Sequence, residues 1–218
     1  TYVVPSGRQM PTIVGGITCY VTPWNGLNIA GLDDHGHIQA VWTAPALNGE
    51  WRLSDLSTDT GGSALAGSLT VYVAPWGGIN LSGLDDAGAV RVTWWAPGLD
   101  SWREDDLSGT AGAPAFTAGS VTSYVNPWGG LNVAGLDAQG DVQILWWAPG
   151  LDRWQVSRMT SSSDPSLRPT GSLRAVTAPD GRTTVFGANQ VGEIVALTFE
   201  IGAARWTTQN LSAIAPDY

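Results

Sequence analysis

Reactive side chains are few in this sequence and aromatic ones are many. The only histidines, His35 and His37, fall within Asp33-Asp34-His35-Gly36-His37. An H-x-H pair beside two carboxylates has the donor types of a metal site. The equivalent turns further along carry Ala87, Ala89, Gln139 and Asp141 instead, so the stretch reads as a hairpin turn and no metal is expected. The D-x-x-G turns hold too few oxygen ligands for a calcium loop. No GxSxG elbow occurs, and no histidine lies outside that one turn, which argues against a Ser-His-Asp nucleophile. Glu104-Asp105-Asp106 places carboxylates side by side, but successive strand residues point to opposite faces, so the run reads as a solvated edge. No glycine-rich phosphate loop precedes a helix. No catalytic residue, no cofactor and no enzyme activity are expected.

What recurs is tryptophan. Trp24, Trp76 and Trp128 each follow a proline in a short turn, and Asn28, Asn80 and Asn132 follow each of them four residues later. Turns lie at surfaces. A flat indole there can stack on the apolar face of a pyranose, while a nearby carboxamide offers donor and acceptor together. The competing reading is structural: the indoles fold over a neighbouring repeat and each Asn bonds turn backbone. Trp95 and Trp147 are second-tier candidates for the same stacking role.

These residues belong to a tandem repeat. ITCYVTPWNGLNIAGLDDHGHIQAVWTAP from Ile17, LTVYVAPWGGINLSGLDDAGAVRVTWWAP from Leu69 and VTSYVNPWGGLNVAGLDAQGDVQILWWAP from Val121 keep a spacing of 52 residues. A further tryptophan follows each segment, at Trp51, Trp102 and Trp154. A fourth copy from Leu173 keeps Pro179, Gly187, Gly192, Trp206 and Leu211. It has Asp180 for the turn Trp, Thr184 for Asn and Thr198-Phe199 for Trp-Trp. Such losses leave at most three stacking sites, with no platform expected from the fourth copy.

Within each copy, four strand signals alternate with turns. In the second, Ser68–Ala74, Ile79–Leu84, Val90–Trp95 and Trp102–Leu107 are strands, and no segment carries a helical period. A four-stranded antiparallel meander of about 50 residues in tandem is a β-propeller blade. The expected fold is all-β, a β-propeller of four four-stranded antiparallel blades in one domain over 15–218. Blade boundaries fall near 15–66, 67–118, 119–170 and 171–218, with 1–14 left unassigned but able to pair with the last blade. The alternative is half of an eight-bladed ring completed by homodimerisation. Trp42, Trp94 and Trp146, on the apolar face of the third strand, are expected to pack between blades.

The chain's 218 residues carry twelve Trp, ten Arg, no Lys and a formal charge of -9. A negative surface disfavours nucleic acid and anionic membranes as partners. No apolar run reaches the length of a membrane span, so no membrane insertion is expected. One cysteine, Cys19, excludes an intrachain disulfide and leaves the compartment open, secreted included. Thr1–Pro11 lacks signal-peptide regions. Without an initiator Met, the chain reads as a processed product or a piece of a longer one.

The run LNVAGLDAQGDVQILWWAPGLDRW, with its x-G-x-D-x-x-G turn, Trp-Trp strand end and following Trp, resembles the blades of bacterial β-propeller lectins. The resemblance covers the first three repeats and, loosely, the fourth. It implies aromatic residues stacking on fucose or related sugars at several sites per ring, and hence glycans as partners. Similar repeats also occur in large secreted actinobacterial proteins. Two functions follow: a non-catalytic, multivalent carbohydrate-binding propeller, or an interaction or spacer propeller of a larger secreted protein with no sugar ligand.

Overall fold

In the computed structural model, residues 12–160, 163–199 and 205–214 are described. The expected meanders are present as four four-stranded antiparallel sheets, and the fold is an all-β propeller type with four blades. Blade one comprises β1 (Thr18–Val21), β2 (Leu27–Leu32), β3 (Ile38–Thr43) and β4 (Arg52–Asp55). Blade two comprises β5 (Ala66–Val73), β6 (Ile79–Leu84), β7 (Val90–Trp95) and β8 (Arg103–Asp106). Blade three comprises β9 (Thr122–Val125), β10 (Leu131–Leu136), β11 (Val142–Trp147) and β12 (Gln155–Arg158). Blade four comprises β13 (Thr170–Thr177), β14 (Thr183–Ala188), β15 (Ile194–Phe199) and β16 (Thr207–Asn210).

Strands pair in sequence order, with one register throughout. Asn28 lies opposite Tyr20 and Trp42, Asn80 opposite Tyr72 and Trp94, and Asn132 opposite Tyr124 and Trp146. Since side chains alternate along a strand, this register puts Tyr, Asn and the first strand-three Trp on one face of each blade. That is the layer from which the site is built.

The chain forms two compact units, one up to Asp106 and one from Leu107 onward. In the first, Tyr20, Ala30, Leu32, Ile38 and Ala40 of blade one pack with Leu65, Leu69, Ile79 and Leu81 of blade two. In the second, Tyr124, Ala134, Leu136, Val142 and Ile144 of blade three pack with Leu173, Val185 and Leu197 of blade four. Each unit therefore buries the trailing face of one blade under the leading face of the next. A single sheet of this size has no other way to cover an apolar face.

Two features were not expected. First, the strand-four segments of blades one and two run into single helical turns, α1 (Leu56–Thr60) and α2 (Leu107–Ala111), and Leu211–Ile214 forms a similar turn, α3. Asp55 caps α1, accepting a hydrogen bond from the Thr58 N–H at 2.9 Å. Turns this short carry no apolar period, so sequence periodicity is blind to them. Second, the repeat starts earlier than its visible phase. Ile13 bridges Asp33, and Phe116 bridges Asp137 in the same antiparallel manner. Ile13, Leu65, Phe116 and Pro169 each press on the strand-two glycine of their blade, at Gly31, Gly83, Gly135 and Gly187, where a Cβ would collide. Thus Ile13 and Val14 belong to blade one; the remaining Thr1–Pro11 lies outside the described residues. Ile13, Leu65 and Pro169 keep the 52-residue phase and Phe116 lies one residue early; the unlike side chains at the four positions hid them in the sequence.

Candidate functional site

The turn between the first two strands of a blade is built to present its tryptophan. In Thr22-Pro23-Trp24-Asn25-Gly26, the Thr22 N–H bonds the Gly26 carbonyl and the Asn25 N–H bonds the Thr22 carbonyl. Proline presets the second position, and the fourth residue takes the left-handed conformation: Asn25 at φ 59°, Gly77 at 87° and Gly129 at 81°. The final glycine lets the indole lie back over the turn. A Cβ at Gly26 would sit 3.1 Å from the Trp24 Nε1, and one at Gly78 would sit 2.9 Å from the Trp76 Nε1. Blade four has Arg182 where this glycine stands and Asp180 in place of Trp, whose carboxylate instead binds the Arg182 N–H and guanidinium.

Trp24, Trp76 and Trp128 are 44, 45 and 47% exposed, the surface position expected of a turn. The asparagines that follow are buried. The Asn28 Nδ2 donates to the Gly26 carbonyl at 3.1 Å, that of Asn80 to Gly78 at 3.4 Å, and that of Asn132 to Gly130 at 3.0 Å. Their donors thus anchor the turn backbone.

Two cavities collect these residues, one inside each compact unit. The first, about 240 Å³, is lined from blade one by Tyr20, Trp24, Asn28 and Trp42 and from blade two by Trp95 and Trp102. The Trp24 and Trp95 rings meet edge to face, centroids 5.7 Å apart at 79°. The second, about 260 Å³, is lined from blade three by Tyr124, Asn126, Trp128, Asn132, Trp146 and Trp147 and from blade four by Phe199 and Trp206. Here Trp128 meets Phe199 at 6.4 Å and 60°, and Phe199 meets Trp206 at 5.4 Å. So Trp24, Asn28 and Trp95 share one cavity, and Trp128, Asn132 and Trp147 share the other. Trp76 and Asn80 line neither.

The strand-three indoles are fixed by their N–H groups. The Trp42 Nε1 donates to the Ser54 hydroxyl at 3.1 Å, the Trp94 Nε1 to the Asp105 carboxylate at 2.7 Å and the Trp146 Nε1 to the Ser157 hydroxyl at 3.0 Å. All three rings are half-buried. Trp42 and Trp146 form cavity wall, so packing between blades is only part of their placement. The Trp95 and Trp147 Nε1 groups donate to the carbonyls of Leu99 and Leu151, at 3.0 and 2.8 Å, which sets the angle of each ring.

Several wall residues escaped the sequence argument. Phe199, Trp102 and Trp206 face the turn Trp of the preceding blade. Blade four, without a turn Trp, still supplies two aromatic walls. The fourth-strand Trp recurs plainly in the repeat, but which blade it faces is a three-dimensional property.

Among the described residues no charged side chain lines either cavity. Burial pushes the Tyr20 and Tyr124 hydroxyls well above the usual phenol range, so the tyrosine walls are neutral. The titratable structure lies in the strand 2–3 turns. Burial works to raise the Asp85 carboxyl, but hydrogen bonds from the Ala89 N–H, the Arg91 guanidinium and the Ala87 N–H outweigh it and hold it below the usual carboxylate range. Asp33 and Asp137 occupy the same turn position and are lowered in the same way. Among the described residues no group of three His, Cys, Asp or Glu side chains is placed to hold a metal ion, and no helix is long and apolar enough to cross a membrane.

No family model matches this chain, and no curated protein matches it in sequence. Solved structures do match its fold. The SapL1 lectin in complex with α-methyl fucoside superposes with a TM-score of 0.63 at 10% identity, over 92% of this chain and 64% of that one. AofleA from Arthrobotrys oligospora gives 0.61 at 14% identity, over 90% and 56%. The fucose-specific lectin from Aleuria aurantia gives 0.60 at 11%, over 84% and 55%. The Hadza microbial sialidase Hz136 also matches, at 0.57 and 10% identity, over 89% and 45%. The chain spans less than two thirds of the length of each of these proteins. At such identities the likeness establishes a shared β-propeller fold.

Proposed function

We propose that this protein is a non-catalytic carbohydrate-binding propeller whose aromatic cavities each take one neutral sugar ring. The observation that carries the reading is the repeated pairing of a half-exposed turn Trp with aromatic residues of the next blade around a small cavity whose described lining is uncharged. Core packing needs no exposed indole, since a core gains by enclosing it. A pyranose has an apolar C–H face that an indole can cover, and hydroxyls that Asn, Ser and Thr edges can bond. Cavities near 250 Å³ fall below the ~300–1,000 Å³ of drug-sized pockets. That size favours a single terminal residue over an extended oligosaccharide. Repeated weak sites would gain strength by avidity on a multivalent surface.

The fold neighbours support this reading, since two of them are named as lectins, one in complex with α-methyl fucoside and one fucose-specific. The sialidase match raises a hydrolytic alternative. Most glycoside hydrolases flank the scissile bond with a pair of carboxyl groups, while sialidases use a tyrosine nucleophile, and recognition of an acidic sugar favours Arg on its carboxylate. Among the described residues the lining of both cavities has tyrosine, Tyr20 and Tyr124, but neither a carboxylate nor an Arg beside it. The spacer reading keeps one point in its favour: Trp24 and Trp128 already make edge contacts with Trp95 and Phe199, which stabilise neighbouring blades without any ligand. A glycan array separates the two. Binding to glycans with neutral terminal residues, lost on joint replacement of Trp24 and Trp128 by Ala, supports the sugar reading. Absence of binding to every glycan supports the spacer.

A further inference from the structure

The two cavities are not copies of each other. Thr22 of blade one and Asn126 of blade three hold the same place at the start of the turn, and each lines its own cavity. The Thr22 hydroxyl accepts from the Gly26 N–H at 2.8 Å and donates to the Gly26 carbonyl at 3.4 Å, so its proton is spent on the turn. The Asn126 Oδ1 accepts from the Gly130 N–H at 2.6 Å. That bond fixes the oxygen end of the carboxamide, and its Nδ2 protons have no partner among the described residues. Asn126 is only 8% exposed, and a buried donor left unpaired costs free energy. The turn does not demand this side chain. Blade two closes the same turn with Ala74, whose N–H bonds the Gly78 carbonyl at 2.7 Å.

A second difference comes from the following blade. The cross-strand pair Val73–Ile79 of blade two is Thr177–Thr183 in blade four. Ile79 lines the Trp24 cavity and Thr183 the Trp128 cavity. Thr177 donates its hydroxyl proton to the Val125 carbonyl at 3.1 Å. The Thr183 hydroxyl, 3.3 Å from that of Thr177, is therefore the donor of their pair and keeps its lone pairs as acceptors. This relay ends on the residue before Asn126, which sets the unspent Nδ2 donors and the Thr183 acceptor at one end of the cavity. The Trp24 cavity has a closed hydroxyl and an apolar side chain in their place.

We propose that Asn126 and Thr183 make the Trp128 cavity selective for a sugar ring that carries a hydroxyl at this end, accepting from Asn126 and donating to Thr183, and that the Trp24 cavity does not read this hydroxyl. One hydroxyl can accept and donate at once. A site built to bond it rejects the analogue that lacks it, because its own polar groups are then left unpaired. An apolar wall leaves nothing unpaired and makes no such distinction. The inference rests on the sugar reading of the cavities and adds which of them discriminates, and by which side chains.

Calorimetric titration of the full chain with methyl glucoside, methyl galactoside and methyl mannoside, and with the monodeoxy analogues of each, tests it. In a Trp76→Ala background, Trp24→Ala isolates the Trp128 cavity and Trp128→Ala isolates the Trp24 cavity. In the first, one monodeoxy analogue should bind about 10–100-fold more weakly than its parent. In the second, the same analogue should bind as tightly as its parent. Asn126→Thr with Thr183→Ile, which copy the residues of the other cavity, should erase the discrimination. The reverse exchange, Thr22→Asn with Ile79→Thr, should create it in the Trp24 cavity, a gain that a misfolded variant cannot produce. The same ranking of parents and analogues in both cavities, or discrimination that survives the exchange, overturns the inference and leaves the sugar reading standing. Failure of the wild-type chain to bind any of these glycosides overturns both.

Discussion

Trp128→Ala should weaken binding at one cavity more than it weakens the fold. An enclosed Trp buries ~150–250 Å². With 47% of Trp128 exposed, about 70–120 Å² of the ring is open to a ligand. A sugar ring covers one side of the indole, about half that area, which at ~25 cal/mol per Å² gives about 1–1.5 kcal/mol. Loss of that term weakens the site about five- to tenfold. A fully buried Trp→Ala change costs about 3–5 kcal/mol. Trp128 is about half in water already and retains its contact with Phe199 at 6.4 Å, so about 1.5–2.5 kcal/mol is expected. Calorimetric titration gives the first quantity and urea denaturation the second. A full 3–5 kcal/mol destabilisation with unchanged affinity at this site would falsify the stacking role and make Trp128 a packing residue.

Further outcomes follow from the same geometry. Asn132→Ala removes the donor to the Gly130 carbonyl from a buried position, and should cost about 1–3 kcal/mol in urea denaturation; a neutral effect would mean that the turn is held without it. Asp85 is held below the usual carboxylate range in the folded state. Its stabilising contribution is therefore complete above the unfolded-state value near ~3.9 and is lost as pH falls through the lower folded value. Melting temperature should drop across that acid window and stay level above it, with a smaller drop in Asp85→Asn; identical acid profiles in the two proteins would refute the assignment. Because the described lining of the cavities holds no charge, affinity for a neutral sugar should vary little with salt from about 0.05 to 0.5 M. A strong salt dependence would point to Arg-mediated binding elsewhere.

Much of the architecture was legible because repetition averages over local ambiguity. The strands Ile79–Leu84 and Val90–Trp95 have the bounds that alternation and turn residues give them. The turn chemistry was equally plain, since Pro before Trp and a left-handed Asn or Gly after it leave few other conformations. What was hidden depends on neighbours. That Phe199 and Trp206 wall the cavity of Trp128 follows from which blade faces which, and no spacing along the chain encodes it. Alternation placed Trp42 and Trp146 on the apolar face, yet the cavity beside them leaves both half-buried. Asn28 and Asn132 offered either a ligand contact or a turn anchor. The structure shows their donors on turn carbonyls, and both asparagines remain in the cavity lining.

The central claim is that the two aromatic cavities act as separate sugar sites, and calorimetric titration with a neutral sugar selected on a glycan array tests it most directly. The wild-type chain should bind two equivalents through the cavities of Trp24 and Trp128, or three if Trp76 supplies another. Trp24→Ala and Trp128→Ala should each remove one. Undiminished stoichiometry and affinity in the double variant would contradict the account and move the binding surface away from both cavities.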